Sequence, residues 1–184
     1  MMKVEPCNRC PLSERRTKMA VYRGDTKPLD ALFIGEFPSR EDDALGEPFI
    51  GPIGHLLDDL IYHVRKLFPT IKIGITNIIW CAPFTSSGEL GVPLSLYVDR
   101  CQQNLINLIE HYQPTFLVAI GEAAEDKLAI PFTGPDAFKR PIIRIFHPSF
   151  ILRKPVDIQP VLVLQQVAEL VDVFDVHFQS KGLS

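Results

Sequence analysis

Four apolar, β-branched runs constrain the fold of this chain more than any other feature. They lie at residues 31–36, 72–80, 115–121 and 140–146. Runs that are apolar almost throughout are typical of strands in a parallel sheet covered on both faces. Helical patterns alternate with these runs, at residues 53–67, 95–112, 122–129 and 159–178. The alternation predicts an α/β fold in three layers, α/β/α, with a short, mainly parallel, four-stranded central sheet.

Length and composition indicate one soluble globular domain over residues 1–184. With 46% hydrophobic and 22% charged residues the chain is ordinary for that class, and its net charge of −3 does not by itself indicate a nucleic-acid binder. No apolar run approaches the ~18 residues of a membrane span, and the segment MMKVEPCNRC lacks the apolar region of a signal peptide. We therefore expect a cytoplasmic protein with no membrane contact and no structural disulfide.

Polar residues and glycines stand at the carboxyl end of each of the four predicted strands. They are Gly35-Glu36, Asn77 to Cys81, Gly121-Glu122 and His147-Pro148-Ser149. In open parallel sheets, ligands bind beyond the carboxyl ends of the strands. We therefore expect a binding site where these residues converge.

The connection after the first predicted strand is unusually long. The stretch GEFPSREDDALGEPFIGPIG, residues 35–54, occupies about 20 positions, whereas strand-to-helix connections usually take 2–6. Its second half is rich in glycine and proline around a single aromatic residue, Phe49. Long ordered loops in compact domains are usually functional, so we expect this loop to form part of the site.

The cysteines form a possible metal-binding set. Cys7 and Cys10 stand in a C-x2-C pair, and Cys81 and Cys101 follow at a distance. Four thiolates suit zinc or an iron–sulfur cluster, and the spacing does not choose between them. The alternative is two surface thiols and two buried ones that pack as small apolar side chains.

Five segments between residues 7 and 153 form an ordered series of motifs. They are CNRCPLSERRT (7–17), GEFPSREDDALGEPFIGPIGHLLD (35–58), TNIIWCAPF (76–84), RCQQNLINLIEHYQPTFLVAIGEAA (100–124) and HPSFILR (147–153). In this order they resemble the motifs of the family 4 uracil-DNA glycosylases, the iron–sulfur branch of the uracil-DNA glycosylase superfamily. Any one motif would be weak evidence, but five in register make the resemblance strong.

The resemblance implies a DNA repair enzyme. Such an enzyme flips uracil out of single- or double-stranded DNA and hydrolyses its N-glycosidic bond, leaving an abasic site for base excision repair. It also implies a 4Fe-4S cluster, with zinc as the alternative, on Cys7, Cys10, Cys81 and Cys101. The expected partner is uracil-containing DNA, and the expected state is a monomer.

The resemblance assigns roles to residues around the flipped base. Phe49 is expected to stack on the base, and Asn77 to hydrogen-bond the pyrimidine edge. His147 is expected to lie by the pyrimidine O2 and stabilise the negative charge that develops there. The backbone N–H groups from Gly35 to Phe37 would assist at the same oxygen.

Glu36 occupies the position of the family's glutamate, but its neighbour differs from the usual pattern. Phe37 stands where other branches of the superfamily carry a water-activating Asp, and phenylalanine cannot take a proton. We therefore expect the reaction to depend on stabilisation of the leaving base, with water positioned rather than strongly activated. The peptide from Ser149 to Arg153 is expected to press on the DNA backbone or fill the vacated stack.

Other departures from the family pattern leave alternatives open. Asp42 stands where the family has a glutamate, a residue that by the resemblance excludes thymine at C5, and the shorter side chain leaves room there. Trp80 and Ala82 replace the basic residues that usually flank the second-strand cysteine. One alternative is a glycosylase for a C5-modified pyrimidine, for instance in phage DNA; another is a non-catalytic iron–sulfur DNA-binding paralogue. A nucleotide-binding enzyme is disfavoured because no G-x-G-x-x-G or G-x4-G-K-[ST] motif follows any strand.

Overall fold

A computed structural model of the chain describes residues 5–129 and 140–180. Its described strands form one sheet in the order β1-β3-β2-β4-β5. The strands are β1 (Arg23–Gly24), β2 (Ala31–Gly35), β3 (Ile73–Asn77), β4 (Phe116–Ile120) and β5 (Ile142–Ile145). The pairs β2–β3, β2–β4 and β4–β5 are parallel, and only the pair β1–β3 is antiparallel among these strands. The predicted α/β class with a mainly parallel sheet is therefore confirmed.

The prediction of four strands is wrong by one, because it missed β1. This strand has two residues and no apolar run, so sequence patterning carries no signal for it. Gly24 has φ +128°, and a side chain there would overlap the backbone of Ile73 on β3. Glycine therefore lets the segment before β2 approach the sheet edge closely enough to pair.

The helices of the described chain cover both faces of the sheet. They are α1 (Arg40–Leu45), α2 (Pro52–Leu67), α3 (Ser95–Tyr112), α4 (Glu122–Ala129), α5 (Pro148–Leu152) and α6 (Gln159–Ser180), with a short 3-10 helix at Pro11–Glu14. The patterns at 53–67, 95–112, 122–129 and 159–178 correspond to α2, α3, α4 and α6. None of these helices combines the length and the apolar character that a membrane span requires.

Strand β2 shows why the strands are apolar at every position. Leu32 and Ile34 point into a buried cluster with α3, whereas Ala31 and Phe33 point into a second cluster with α2 and α6. Successive side chains on a strand face opposite sides of the sheet, so a strand covered on both sides is apolar throughout. All five residues of β2 are buried.

The long loop after β2 contains the short helix α1. Ser39 caps its N-terminus in a reciprocal capping box with Asp42, and Gly46 ends it with φ +83°. The chain then turns at Phe49 and enters α2 at Pro52. The loop is thus anchored at both ends over the carboxyl edge of the sheet.

Candidate active site

A cavity of about 410 Å³ opens at the carboxyl ends of β2, β4 and β5. Its lining includes Glu36 after β2, Gly121 after β4 and His147 after β5. The loop from β2 to α2 supplies much of the remaining wall, including Phe37, Asp42 and Phe49. The site therefore lies at the sheet edge where the strand-end residues were expected to converge.

Phe49 is held in an unusual backbone conformation. Its φ is +58°, which is uncommon for a residue with a side chain, and its side chain is buried. Arg23 donates hydrogen bonds to the carbonyl oxygens of Pro48 (2.7 Å) and Phe49 (2.9 Å). Arg23 is itself paired with Asp58 on α2, at 2.8 Å. Strain of this kind persists where surrounding structure fixes it, often at functional sites.

Two glycines of the predicted motif leave space for Phe49. A Cβ added to Gly54 would overlap the carbonyl group of Phe49. A Cβ added to Gly35 would overlap the Phe49 ring and lie 2.5 Å from Oδ1 of Asn77. The aromatic ring and the Asn77 amide therefore meet over a position that only glycine can occupy.

Asn77 is a fully buried amide (0% exposed) at the end of β3. Neither its Oδ1 nor its Nδ2 has a hydrogen-bond partner among the described residues. An unsatisfied buried polar group costs about 1–3 kcal/mol, so folded proteins rarely keep one without a reason. Asn77 is not itself among the described lining residues of the cavity, but its Oδ1 lies close to Gly35 and to the ring of Phe49, which does line it.

The imidazole of His147 caps helix α5. The backbone N–H of Ser149 donates to Nδ1 of His147 at 3.2 Å, and the Ser149 hydroxyl lies 2.8 Å from the same atom. Since Nδ1 accepts the backbone hydrogen bond, a neutral imidazole carries its proton on Nε2. Burial lowers the pKa of His147, and the Arg153 guanidinium lowers it further, while Glu36 opposes both effects. The neutral form is thus the one that the site favours near pH 7.

Two carboxylates of the cavity wall have fixed partners. Glu36 is paired with Lys127 of α4, with 2.6 Å between Oε1 and Nζ. Asp42 accepts hydrogen bonds from the backbone N–H groups of Ser39 and Ile50, both at 2.9 Å. Asp42 therefore ties α1 to the residue that follows Phe49.

Ser149 and Arg153 lie at the rim on α5. Ser149 lines the cavity. Arg153 ends α5 as an exposed residue, and its Nη1 lies 3.5 Å from the Ser149 hydroxyl. Its guanidinium is thus available to a ligand that approaches from solvent.

The four cysteines lie in a region of their own beside α3. All four are free thiols; Cys81 and Cys101 are buried, and Cys7 and Cys10 are half-buried. Burial, together with the smaller effect of the charges of the other three thiols, raises the pKa of Cys101 to about 11, against a backbone hydrogen bond at Trp80 that lowers it. Arg16 lies close to this group, with 3.3 Å between its Nη1 and Sγ of Cys81. Within the described residues, no three His, Cys, Asp or Glu side chains converge tightly enough to hold a single metal ion.

Comparison with known proteins identifies the family. A family model described as "Uracil DNA glycosylase superfamily" matches residues 22–171. A type-4 uracil-DNA glycosylase of Thermotoga maritima is 30% identical over 165 residues, which cover 82% of this chain and 80% of the relative. The chain belongs to the uracil-DNA glycosylase superfamily, in its type-4 branch. The family resemblance inferred from the five motifs is therefore confirmed.

Other similar proteins agree with this membership. A type-4 uracil-DNA glycosylase of Archaeoglobus fulgidus is 26% identical over 165 residues, covering 81% of this chain and 79% of the relative. A crystal structure of Pedobacter heparinus SMUG2 superposes with a TM-score of 0.57 and 13% identity, covering 82% of this chain and 77% of that one. At that identity the superposition supports the shared fold alone.

Two residues that support the site escaped the sequence analysis. Arg23 reaches the Phe49 turn from β1, and Lys127 reaches Glu36 from α4, across 91 positions of sequence. Neither stands in a motif, so no local signal could have marked it. Residues 1–27 carry seven Lys and Arg, but counting charges does not say which arginine reaches which carbonyl group.

Proposed function

We propose that this protein excises uracil from DNA by hydrolysing the N-glycosidic bond and leaving an abasic site. The observation that carries the proposal is the buried Asn77 amide without a partner among the described residues, next to the Phe49 ring. A uracil stacked on that ring would present N3–H to Oδ1 and O4 to Nδ2, which satisfies both atoms. The names of the type-4 relatives support the same activity.

In this proposal His147 acts on the leaving base. Its neutral imidazole carries a proton on Nε2, the nitrogen that Ser149 does not occupy. A donor fixed before the reaction stabilises the charge that builds on O2 as the glycosidic bond breaks. The backbone N–H groups from Gly35 to Phe37 would donate to the same oxygen.

Glu36 would orient water rather than deprotonate it. One of its carboxylate oxygens is engaged by Lys127, and the neighbouring Phe37 side chain has no group that can accept a proton. The larger part of the rate enhancement therefore comes from stabilisation of the departing uracil anion. Water completes the reaction at the sugar C1′.

DNA contacts are assigned to the rim of the cavity. Arg153 is exposed at the end of α5 and suits a phosphate contact, with Ser149 beside it. Base flipping requires the duplex or single strand to lie across this rim, so that one nucleotide can enter the cavity. The protein would act as a monomer in the cytoplasm.

We also propose that Cys7, Cys10, Cys81 and Cys101 hold a 4Fe-4S cluster. The thiols are close enough for their charges to interact, and four soft thiolates suit iron–sulfur ligation. Zinc, which four thiolates also suit, is the alternative. Such a cluster would join the N-terminal segment to α3 and to the chain after β3.

A second candidate substrate is a 5-substituted uracil. Asp42 lines the cavity with a side chain one methylene shorter than the family's glutamate, and its oxygens are engaged by backbone N–H groups. This leaves more room on the wall where a C5 substituent is expected.

The proposed function is tested by incubating the protein with uracil-containing oligonucleotides, single-stranded and double-stranded, and measuring abasic sites. Asn77→Ala should lose most activity because the amide that reads the base is gone. Asn107→Ala on α3 is the matched control, since Asn107 is bonded to Gln103 on the helix surface. Absence of abasic sites with the wild-type protein on every uracil substrate would reject the proposal.

A further inference from the structure

Lys127 forms an ion pair with Glu36 at the edge of the cavity. Both side chains are about one-fifth exposed, 22% for Lys127 and 20% for Glu36. The Lys127 ammonium also lies 3.4 Å from the carbonyl oxygen of Ala123, one turn earlier on α4. Helix α4 thus brings a positive charge to the carboxyl end of β2.

The cavity wall is acidic, and its negative charges would repel an anionic leaving group. Its described lining includes the carboxylates of Glu36, Glu41, Asp42 and Glu122, and no lysine or arginine. Both the departing uracil and the phosphodiester backbone are negative, so a free carboxylate beside them raises the barrier. Asp42 is held by backbone N–H groups, whereas Glu36 is held by a cation.

The negative charge of Glu36 also acts on the imidazole of His147. It raises the pKa of that imidazole, against burial and the Arg153 guanidinium, which lower it. The charged groups that act on His147 are thus Glu36, directly after β2, and Arg153, at the end of α5, while Glu122 lines the same cavity from α4. Any change in the net charge at Glu36 therefore reaches the residue assigned to the leaving group.

We propose that Lys127 is a positioning residue of the reaction, which fixes the Glu36 carboxylate and cancels its charge so that the cavity can accept the uracil anion. The inference rests on the proposed function and adds a residue to it. A carboxylate with one oxygen on an ammonium at 2.6 Å keeps the other oxygen for water. The pair as a whole is neutral, so it orients water without opposing the leaving group.

The test compares single-turnover uracil release across pH for Lys127→Met, Lys127→Arg, Glu36→Gln and the double variant Glu36→Gln/Lys127→Met. Lys127→Met should lower the rate by about tenfold, because it leaves the carboxylate without its counter-charge. Its acid limb should move to higher pH, because an uncompensated Glu36 stabilises protonated His147. Lys127→Arg should retain most of the rate. The double variant should have the same rate as Glu36→Gln, since Lys127 acts only through the Glu36 carboxylate.

Arg144→Met is the matched control. It breaks the ion pair of Arg144 with Glu125, which joins the same helix α4 to β5 at 3.2 Å and is more exposed. Neither residue is among the described lining of the cavity, so rate and pH profile should stay at wild-type values. Thermal unfolding of each variant separates loss of fold from loss of rate, and Lys127→Gln replaces Lys127→Met if the latter does not fold.

Two outcomes would overturn the inference. One is a Lys127→Met variant with wild-type rate and pH profile; the other is a double variant clearly slower than Glu36→Gln, which would mean that Lys127 acts on something other than Glu36. Either result with an active wild-type protein rejects the role of Lys127 alone. A wild-type protein that releases no uracil rejects the proposed function instead.

Discussion

The backbone N–H of Ser149 donates to Nδ1 of His147 at 3.2 Å, and this one contact fixes which nitrogen of the imidazole faces outward with a proton. The bond exists because His147 takes the N-cap position of α5, where a side-chain acceptor satisfies a free N–H of the first turn. Pro148 at the first helical position ensures that the helix begins there. The His-Pro-Ser sequence therefore determines both the helix start and the tautomer.

Removal of the imidazole should reduce turnover without weakening substrate binding. We expect His147→Ala to lower the single-turnover rate by about 10²–10³, the usual cost of losing one donor to a developing anion. Affinity for an uncleavable uracil analogue in DNA should change little, because the donor acts mainly in the transition state. His111→Ala, at the far end of α3, is the control. A near wild-type rate in His147→Ala would refute the leaving-group role.

The rate should fall on the acid side as His147 takes up a proton at Nδ1, because that proton breaks the hydrogen bond from the Ser149 N–H that orients the imidazole. Burial lowers the pKa of His147 below its ordinary value of about 6.5, so the acid limb of the rate profile should lie below that pH.

Stability should depend on the same protonation. A proton at Nδ1 of His147 breaks the bond from the Ser149 N–H and so lowers the free energy of unfolding. Below about pH 6.5 the unfolded chain protonates this histidine more readily than the folded protein does. The contribution of the neutral His147 to the free energy of unfolding is therefore complete above that pH and is lost as the pH falls through the folded pKa. Rate profiles and unfolding curves of wild type and His147→Ala between pH 5 and 8 measure both effects.

The Asn77 amide should select uracil over cytosine. Cytosine presents an amino group where uracil has O4, so the amide would have to rotate or leave one buried polar atom unpaired. That costs about 1–3 kcal/mol, which corresponds to a preference of roughly 5- to 150-fold. Competition between uracil and cytosine in otherwise identical oligonucleotides measures this ratio. Equal rates on both bases would mean that Asn77 does not read the pyrimidine edge.

Much of the fold followed from sequence because the strands and helices carry strong periodic signals. Strand β2 is apolar on both faces and α2 on one, so their types and order could be read directly. The converging strand ends, such as Glu36 and His147, followed from the parallel topology. Strand β1 could not be read, because its two residues pair only through contact with β3.

Other features of the site depend on long-range contacts that no pattern encodes. The positive φ of Phe49 and its support by Arg23 require the folded loop, although the surrounding glycines marked the turn. The sequence predicts a loop where the short helix α1 lies. The local signal for this helix is its capping box, which spans only Ser39 to Asp42 and is easily missed. The sequence predicts that the Asp42 side chain faces the base, but its two backbone partners, Ser39 and Ile50, are set only by the folded loop.

The cysteine segment should bind iron and depend on it for folding. We expect protein purified in air to be brown, with broad visible absorbance and about four irons per chain. Cys81→Ser and Cys7→Ser should lose iron and unfold at lower temperature, since metal binding at such sites contributes to folding. Iron and zinc contents, measured together, distinguish the two metals. One zinc per chain in colourless protein would reject the cluster and leave the fold unaffected.

Selectivity at C5 should depend on the length of the side chain at position 42. The Asp42 carboxylate accepts from Ser39 and Ile50 and lines the cavity, so an added methylene must extend into the cavity or shift the Ile50 backbone. We expect Asp42→Glu to reduce excision of 5-substituted uracil relative to uracil by about tenfold or more, the usual effect of one methylene in a closed pocket. Asp43→Glu is the matched control, because Asp43 bonds the backbone N–H of Thr17 and is not among the described lining residues of this cavity. Parallel assays on uracil and 5-methyluracil give the ratio. If Asp42→Glu loses both substrates equally, the residue acts through the loop that holds Phe49 and does not face C5.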